Sequence, residues 1–238
     1  MHTTPQSPAP PSALPPSGPG PALGSVTGQA VAGEVARFGE LDIAYDDRVL
    51  APREWTLAQS DWAGELLLTL PEGDVLELCA GVGHIGLHGV LRSRRRLLMV
   101  DDNPVACEHA LANAERACMA DRVAVRQGRV DTALADAERF ALVIADPPWV
   151  PTDRVAQFPE DPVHAIDGGS DGLDLVRACV AVARRHLLAG GVLLLQVGPD
   201  QVDDVAALAP SEGLHLVEVR RAGERGALVR LDLMEELA

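Results

Sequence analysis

Short apolar runs alternate along this chain with stretches whose apolar residues recur every three to four positions. Phe140-Ala-Leu-Val-Ile-Ala145 has no polar residue and reads as a strand buried on both faces. Val75–Leu78, Leu97–Val100, Val123–Val125 and Val192–Gln196 read the same way. Between them the spacing predicts helices over about 85–91, 104–118, 172–188 and 201–208, with Pro104 suited to a first helical position. Upstream, Glu40–Asp46 alternates like a half-exposed strand, and Thr56 is placed to cap a helix running to about Leu70. Leu214–Val219 and Ala227–Leu233, joined by Arg-Ala-Gly-Glu-Arg-Gly, predict a closing antiparallel hairpin. Strands alternating with helices imply an α/β fold: a mostly parallel sheet with helices on both faces and ligands at the carboxyl ends of its strands.

Before Gly24 the pattern vanishes. Met1–Gly24 is built mainly of Pro, Ser, Ala and Gly, with no charged residue. Such a segment cannot bury enough apolar surface to order itself. Residues 1–32 are therefore expected to be a disordered Pro-rich tail, 33–72 a strand or hairpin plus a helix leading into the core, and 73–238 the main domain. The start lacks the basic and apolar regions of a signal peptide, and no run approaches the roughly 18 apolar residues of a membrane span. The expected location is the cytoplasm, with no membrane partner.

Charge and cysteine usage narrow the chemistry. The four cysteines form no C-x-x-C pair and read as reduced thiols. All 20 basic side chains are arginine, which excludes Schiff-base lysine chemistry, and the net charge of −15 disfavours generic nucleic-acid binding. Arg92, Arg94, Arg95 and Arg96 cluster at a helix-to-strand joint and read as a solvated turn. His84 and His88 are four apart on a helix, but no third ligand accompanies them, so no metal site is expected.

Three segments carry chemistry, each at a predicted strand end. Glu77-Leu-Cys-Ala-Gly81-Val-Gly83-His-Ile-Gly86 contains G-x-G-x-x-G, whose glycines permit a sharp turn and close backbone approach to a ligand. Asp101, at the end of the next strand, is placed to accept hydrogen bonds from two ribose hydroxyls; Asp102 is expected to face solvent or help cap the next helix. This combination fits either a dinucleotide or S-adenosylmethionine. The third segment is Asp146-Pro-Pro-Trp149. Its prolines fix the backbone and remove two N–H donors, its acid accepts from an N–H group, and its aromatic ring offers a flat face to a planar target. The segment resembles the target-amine clamp of S-adenosylmethionine-dependent amino-methyltransferases, and that resemblance, with an acid at Glu77 and the closing hairpin, favours S-adenosylmethionine over a nicotinamide cofactor. Asp171 and Asp174 read as an N-cap and a first-turn acid.

Together these segments resemble the class I S-adenosylmethionine-dependent methyltransferases of the HemK/PrmC type, which methylate a glutamine side-chain amide in peptide release factors. The resemblance covers about residues 38–233. It rests on Val49-Leu-Ala-Pro-Arg53-Glu-Trp-Thr56, the Glu77–Gly83 turn, Asp101, Asp146–Trp149 and Asp167-Gly-Gly-Ser-Asp-Gly-Leu-Asp174. It implies a Rossmann-like seven-stranded sheet, and S-adenosylmethionine held by Glu77, Cys79, Ala80, Gly81, Val82, Gly83, Asp101, Val130 and Asp146. It also implies a target nitrogen held by Asp146, Pro147, Pro148 and Trp149, and a protein partner such as a release factor. The amide-methylating members carry asparagine where this chain has Asp146, and tyrosine where it has Trp149. Acid-Pro-Pro-aromatic is also typical of adenine amino-methyltransferases, so a nucleobase amine remains an alternative acceptor. A cofactor-binding protein without transferase activity is the third reading.

Overall fold

The computed structural model describes residues 33–234, so the expected tail over 1–32 lies outside the described residues. The chain first forms an antiparallel hairpin of β1 (Glu34–Phe38) and β2 (Leu41–Tyr45). Its buried Phe38, Leu41 and Ile43 share one core with Trp62 and Leu66 of α1 (Leu57–Leu66). Helix α1 is shorter than its expected run to Leu70, and Thr56 does not cap it with its side chain. The Thr56 hydroxyl instead donates to the Arg53 carbonyl at 2.8 Å, within a 3-10 turn over Glu54–Thr56. Carbonyls left over where a helix ends need donors, and Arg95 supplies them: its guanidinium bonds the carbonyls of Leu67, Leu70, Pro71 and Gly73. The arginine cluster is thus in part a helix terminator; Arg92 and Arg96 form surface pairs with Glu40 and Asp74.

The α/β part follows in order: β3 (Asp74–Leu78), α2 (His84–Gly89), β4 (Leu97–Asp101), α3 (Pro104–Arg116), β5 (Val123–Gln127), β6 (Phe140–Ala145), the single turn α4 (Val163–Ile166), α5 (Asp174–His186), β7 (Leu187–Val197), α6 (Val202–Leu208), β8 (Leu214–Arg221) and β9 (Ala227–Leu233). Seven strands make one sheet in the order β5-β4-β3-β6-β7-β9-β8. The first five are mutually parallel, and β9 runs antiparallel to both β7 and β8. The expected closing hairpin forms, with β9 inserted between β7 and β8.

Burial on both faces explains why the central strands show no alternation. Leu142 and Ile144 of β6 enter one core with α1, α2 and α3, while Val143 and Ala145 enter the other with α5 and α6. From β3 the sheet continues through β4 on one side and through β6 on the other. Between β3 and β6 the direction of winding reverses, and the carboxyl ends of the strands there open a cleft. No helix among the described residues is long and apolar enough to cross a membrane.

Candidate active site

Two adjoining cavities occupy that cleft. The first, about 430 Å³, lies over the carboxyl ends of β3 and β4 and is lined by Cys79–Val82, Asp101, Asn103, Val130 and Asp146, among others. Its floor is the glycine turn. Cys79, Gly81 and Gly83 all have positive φ (54°, 53° and 79°), so the chain reverses sharply off β3. A Cβ on Gly81 would meet nothing within 4 Å, so that Cα faces open space; one on Gly83 would lie 2.6 Å from Met99 Sδ. Gly81 thus leaves room for a ligand, and Gly83 lets α2 approach β4.

Asp101 closes the turn from the next strand. Its Oδ2 accepts from Gly81 N at 2.7 Å and its Oδ1 from Asn103 N at 2.9 Å. Burial raises its pKa, while those two backbone donors oppose the rise. Each oxygen keeps a lone pair for a further donor. Glu77 acts from beneath: it is buried, its Oε1 accepts from Gly86 N at 2.9 Å, and burial pushes its pKa up to about 8. Of the residues assigned to the cofactor from the sequence, Cys79, Ala80, Gly81, Val82, Asp101, Val130 and Asp146 line the cavity. Glu77 and Gly83 are not on that wall and serve the turn that forms it.

The second cavity, about 270 Å³, lies beyond β6 and is lined in part by Arg53, Asp146, Pro147, Pro148, Trp149, Phe158 and Gln196. Asp146, Pro148, His84, Leu50 and Ala165 border both cavities. Among the described residues no donor bonds the Asp146 carboxylate or the Pro147 carbonyl. Burial pushes the Asp146 pKa up to about 7, against the opposing charge of Arg53. His84 is neutral: burial pushes its pKa down to about 4, its Nε2 lies 3.3 Å from Thr56 Oγ1, and its ring stands edge-on to Phe38.

The tetrapeptide is held by the glycine-rich string that follows it. Asp167 Oδ1 accepts from Thr152 Oγ1 and Gly169 N, and Gly168 N donates to Val150 O. A Cβ on Gly172 would lie 2.3 Å from Trp149 O, and Gln201 Nε2 donates to that same carbonyl at 3.0 Å. The intervening segment 152–166 straps across both cavities. Asp161 pairs with Arg53 beside the second cavity, and His164 Nε2 lies 2.8 Å from Asp102 Oδ1 beside the first.

Asp102 is exposed, the first of its two expected placements, and does not cap α3; Asn103 does, accepting from Val105 N at 3.0 Å. Asp171 is likewise not the N-cap of α5, a position held by Leu173, though its Oδ1 accepts from Leu173 N; Asp174 is the first-turn acid. His84 and His88 join no cluster that holds a metal among the described residues. Asn103, His164 and Gln196 were not singled out from the sequence as site residues. An exposed-looking histidine or a strand-end glutamine carries no local signal of what lies across a cleft.

Residues 59–158 match the family described as "Conserved hypothetical protein 95". The chain is 27% identical over 195 residues to a release factor glutamine methyltransferase of Clostridium acetobutylicum, covering 79% of this chain and 68% of that protein. It is 30% identical over 203 residues to a ribosomal protein uL3 glutamine methyltransferase of Burkholderia pseudomallei, covering 80% of this chain and 65% of that protein. The chain is similar in sequence to the class I S-adenosylmethionine-dependent methyltransferases of the HemK/PrmC type. It spans about two thirds of the length of these relatives. The fold is also that of the hMettl16 catalytic domain in complex with an RNA hairpin, with a TM-score of 0.67 at 13% identity over 83% of this chain and 76% of that one.

S-adenosylmethionine fits what the structure offers. The first cavity falls within the roughly 300–1,000 Å³ of small-molecule sites. Gly81 opens onto free space, Asp101 presents unspent lone pairs to a diol, and Val130 adds apolar wall.

Proposed function

We propose that this protein transfers a methyl group to the side-chain amide nitrogen of a glutamine in a protein of the translation machinery. The observation that carries this reading is the position of Asp146: a carboxylate bordering both cavities, next to the Pro147 carbonyl, with neither of them bonded by a donor among the described residues. Cys79–Val82, Asp101 and Val130 would hold S-adenosylmethionine, which supplies when bound a methyl carbon activated by a sulfonium and leaves as the neutral thioether.

The chain's own work is positioning and proton handling. An amide lone pair is delocalised and weakly nucleophilic. Hydrogen bonds from the target N–H groups to Asp146 and Pro147 O would return electron density to nitrogen and fix its approach. The nitrogen that gains a methyl sheds one proton. Asp146, whose pKa is about 7, is matched to accept it at neutral pH. Trp149 and the prolines wall the acceptor cavity, and Arg53 and Asp161 close its side.

The acceptor class follows from the relatives' names, release factor and ribosomal protein uL3, and from the net charge of −15, which gives little footing for phosphates. Its four free cysteines suit a reducing compartment, and the reading places the enzyme in the cytoplasm. Radiolabelled methyl transfer to a panel of release factor, uL3, transfer RNA, ribosomal RNA and DNA tests the proposal. Label in the protein arm, lost on Asp146→Ala with cofactor binding intact, is the expected result. Label confined to the nucleic-acid arms would sink it.

A further inference from the structure

Gln196 is 1% exposed, yet among the described residues its side-chain amide finds no partner: Oε1 is sealed from solvent and accepts from none of them, and Nε2 donates to none. A buried amide left unpaired is costly, normally by about 1–3 kcal/mol, so it needs a reason. Gln196 lines the acceptor cavity together with Asp146 and Pro147. The strand register puts it there: Ala145 of β6 aligns with Leu195 of β7, so Gln196 lies one place beyond, beside Asp146. Both side chains follow residues of the same sheet face, Ile144 and Leu194. The two do not bond each other.

We infer that Gln196 is the second half of the acceptor clamp, donating an N–H to the carbonyl oxygen of the target carboxamide. The inference rests on the glutamine reading above and deepens it. A primary carboxamide has two ends, N–H donors and a carbonyl acceptor. Ionised Asp146 accepts only and serves the first end; an asparagine in its place would serve both. Here the missing donor comes from the neighbouring strand. A half-turn of the Gln196 amide exchanges its oxygen and nitrogen, so its donor is available on either side. The pair Asp146–Gln196 then selects a carboxamide over a simple amine, which has no oxygen to receive the bond.

The test uses the full-length protein with Gln196→Met, Asp146→Asn and the double variant, and release factor and uL3 as probes. Methionine keeps the side-chain length and removes the donor. Gln196→Met is expected to lower kcat/KM for the protein acceptor about 30-fold, with the S-adenosylmethionine Kd unchanged by calorimetry. In the Asp146→Asn background, where asparagine supplies its own donor, the same substitution is expected to cost less than threefold. If Asp146→Asn is too slow to assay, acceptor binding is compared across the same four proteins. A glutamine that only packs would cost the same in both backgrounds, and that result, or undiminished transfer by Gln196→Met, overturns the inference while the glutamine reading stands. Transfer by the unaltered protein to nucleic acid alone overturns both.

Discussion

Gln59 Nε2 donates to the carbonyl of Ala145 at 2.9 Å, and the same nitrogen reaches Leu194 O at 3.2 Å. The two carbonyls belong to β6 and β7 immediately before Asp146 and near Gln196. A side chain of α1, with no solvent exposure, therefore ties together the ends of the strands that border the proposed acceptor site.

Replacing Gln59 with Leu leaves both carbonyls buried without that donor. The cost is expected to be about 2 kcal/mol, as for other buried polar groups left unpaired. Urea denaturation measures it. Transfer activity should fall more than cofactor affinity, because β3 and β4 are untouched.

Asp146 predicts a pH limb. With a pKa of about 7 in the free protein, the carboxylate is protonated below that value and loses its acceptor role. The kcat/KM for the protein acceptor should fall about tenfold per pH unit below pH 7 and level off above it. Asp146→Asn should remove that limb whatever its own rate. An unchanged profile in that variant would mean another group controls it.

Gly81→Ala separates fold from cofactor. The new Cβ meets no neighbour, so only the positive φ is penalised, at about 1–2 kcal/mol. The methyl group occupies space the cofactor needs, so the S-adenosylmethionine Kd should rise at least tenfold while the far-UV circular dichroism spectrum is retained. Calorimetric titration reads the Kd.

Glu77 predicts the opposite pH trend in stability. Its folded pKa is raised from 4.5 to about 8, so between those values the unfolded chain is ionised while the folded one holds a proton. Stability from this group is complete below about pH 4.5 and is lost as pH rises towards 8. Glu77→Gln does not ionise, so its Tm relative to the unaltered protein should climb between pH 5 and pH 8. Parallel thermal scans across that range check the sign.

Much of the scaffold was readable from local pattern. The unbroken β6, the G-x-G-x-x-G turn after β3 and Pro104 opening α3 each depend on residues close together in sequence, where periodicity and backbone restriction act. Helix ends were less legible. Thr56 turned back on Arg53 O, Arg95 terminated the region after α1 from 25 residues away, and Asn103 rather than Asp102 capped α3. Thr56 and Asn103 bond residues only two or three positions away, where neighbouring side chains of suitable type offer the same bond, and Arg95 acts across a fold-dependent distance.

The site divides the same way. Sequence alone determined that a glycine turn, an acid and Asp146-Pro-Pro-Trp149 stand at strand ends, because each is a contiguous string whose chemistry is intrinsic. Only the tertiary structure decided that β6 and β7 lie side by side, so that Asp146 meets Gln196, that Gln59 clamps their carbonyls, and that the strap over 152–166 spans both cavities. Those neighbours are 50 or more residues apart along the chain. Strand pairing and core burial bring them together, and the choice of which strand lies beside which leaves no mark on the residues' own sequence neighbourhoods.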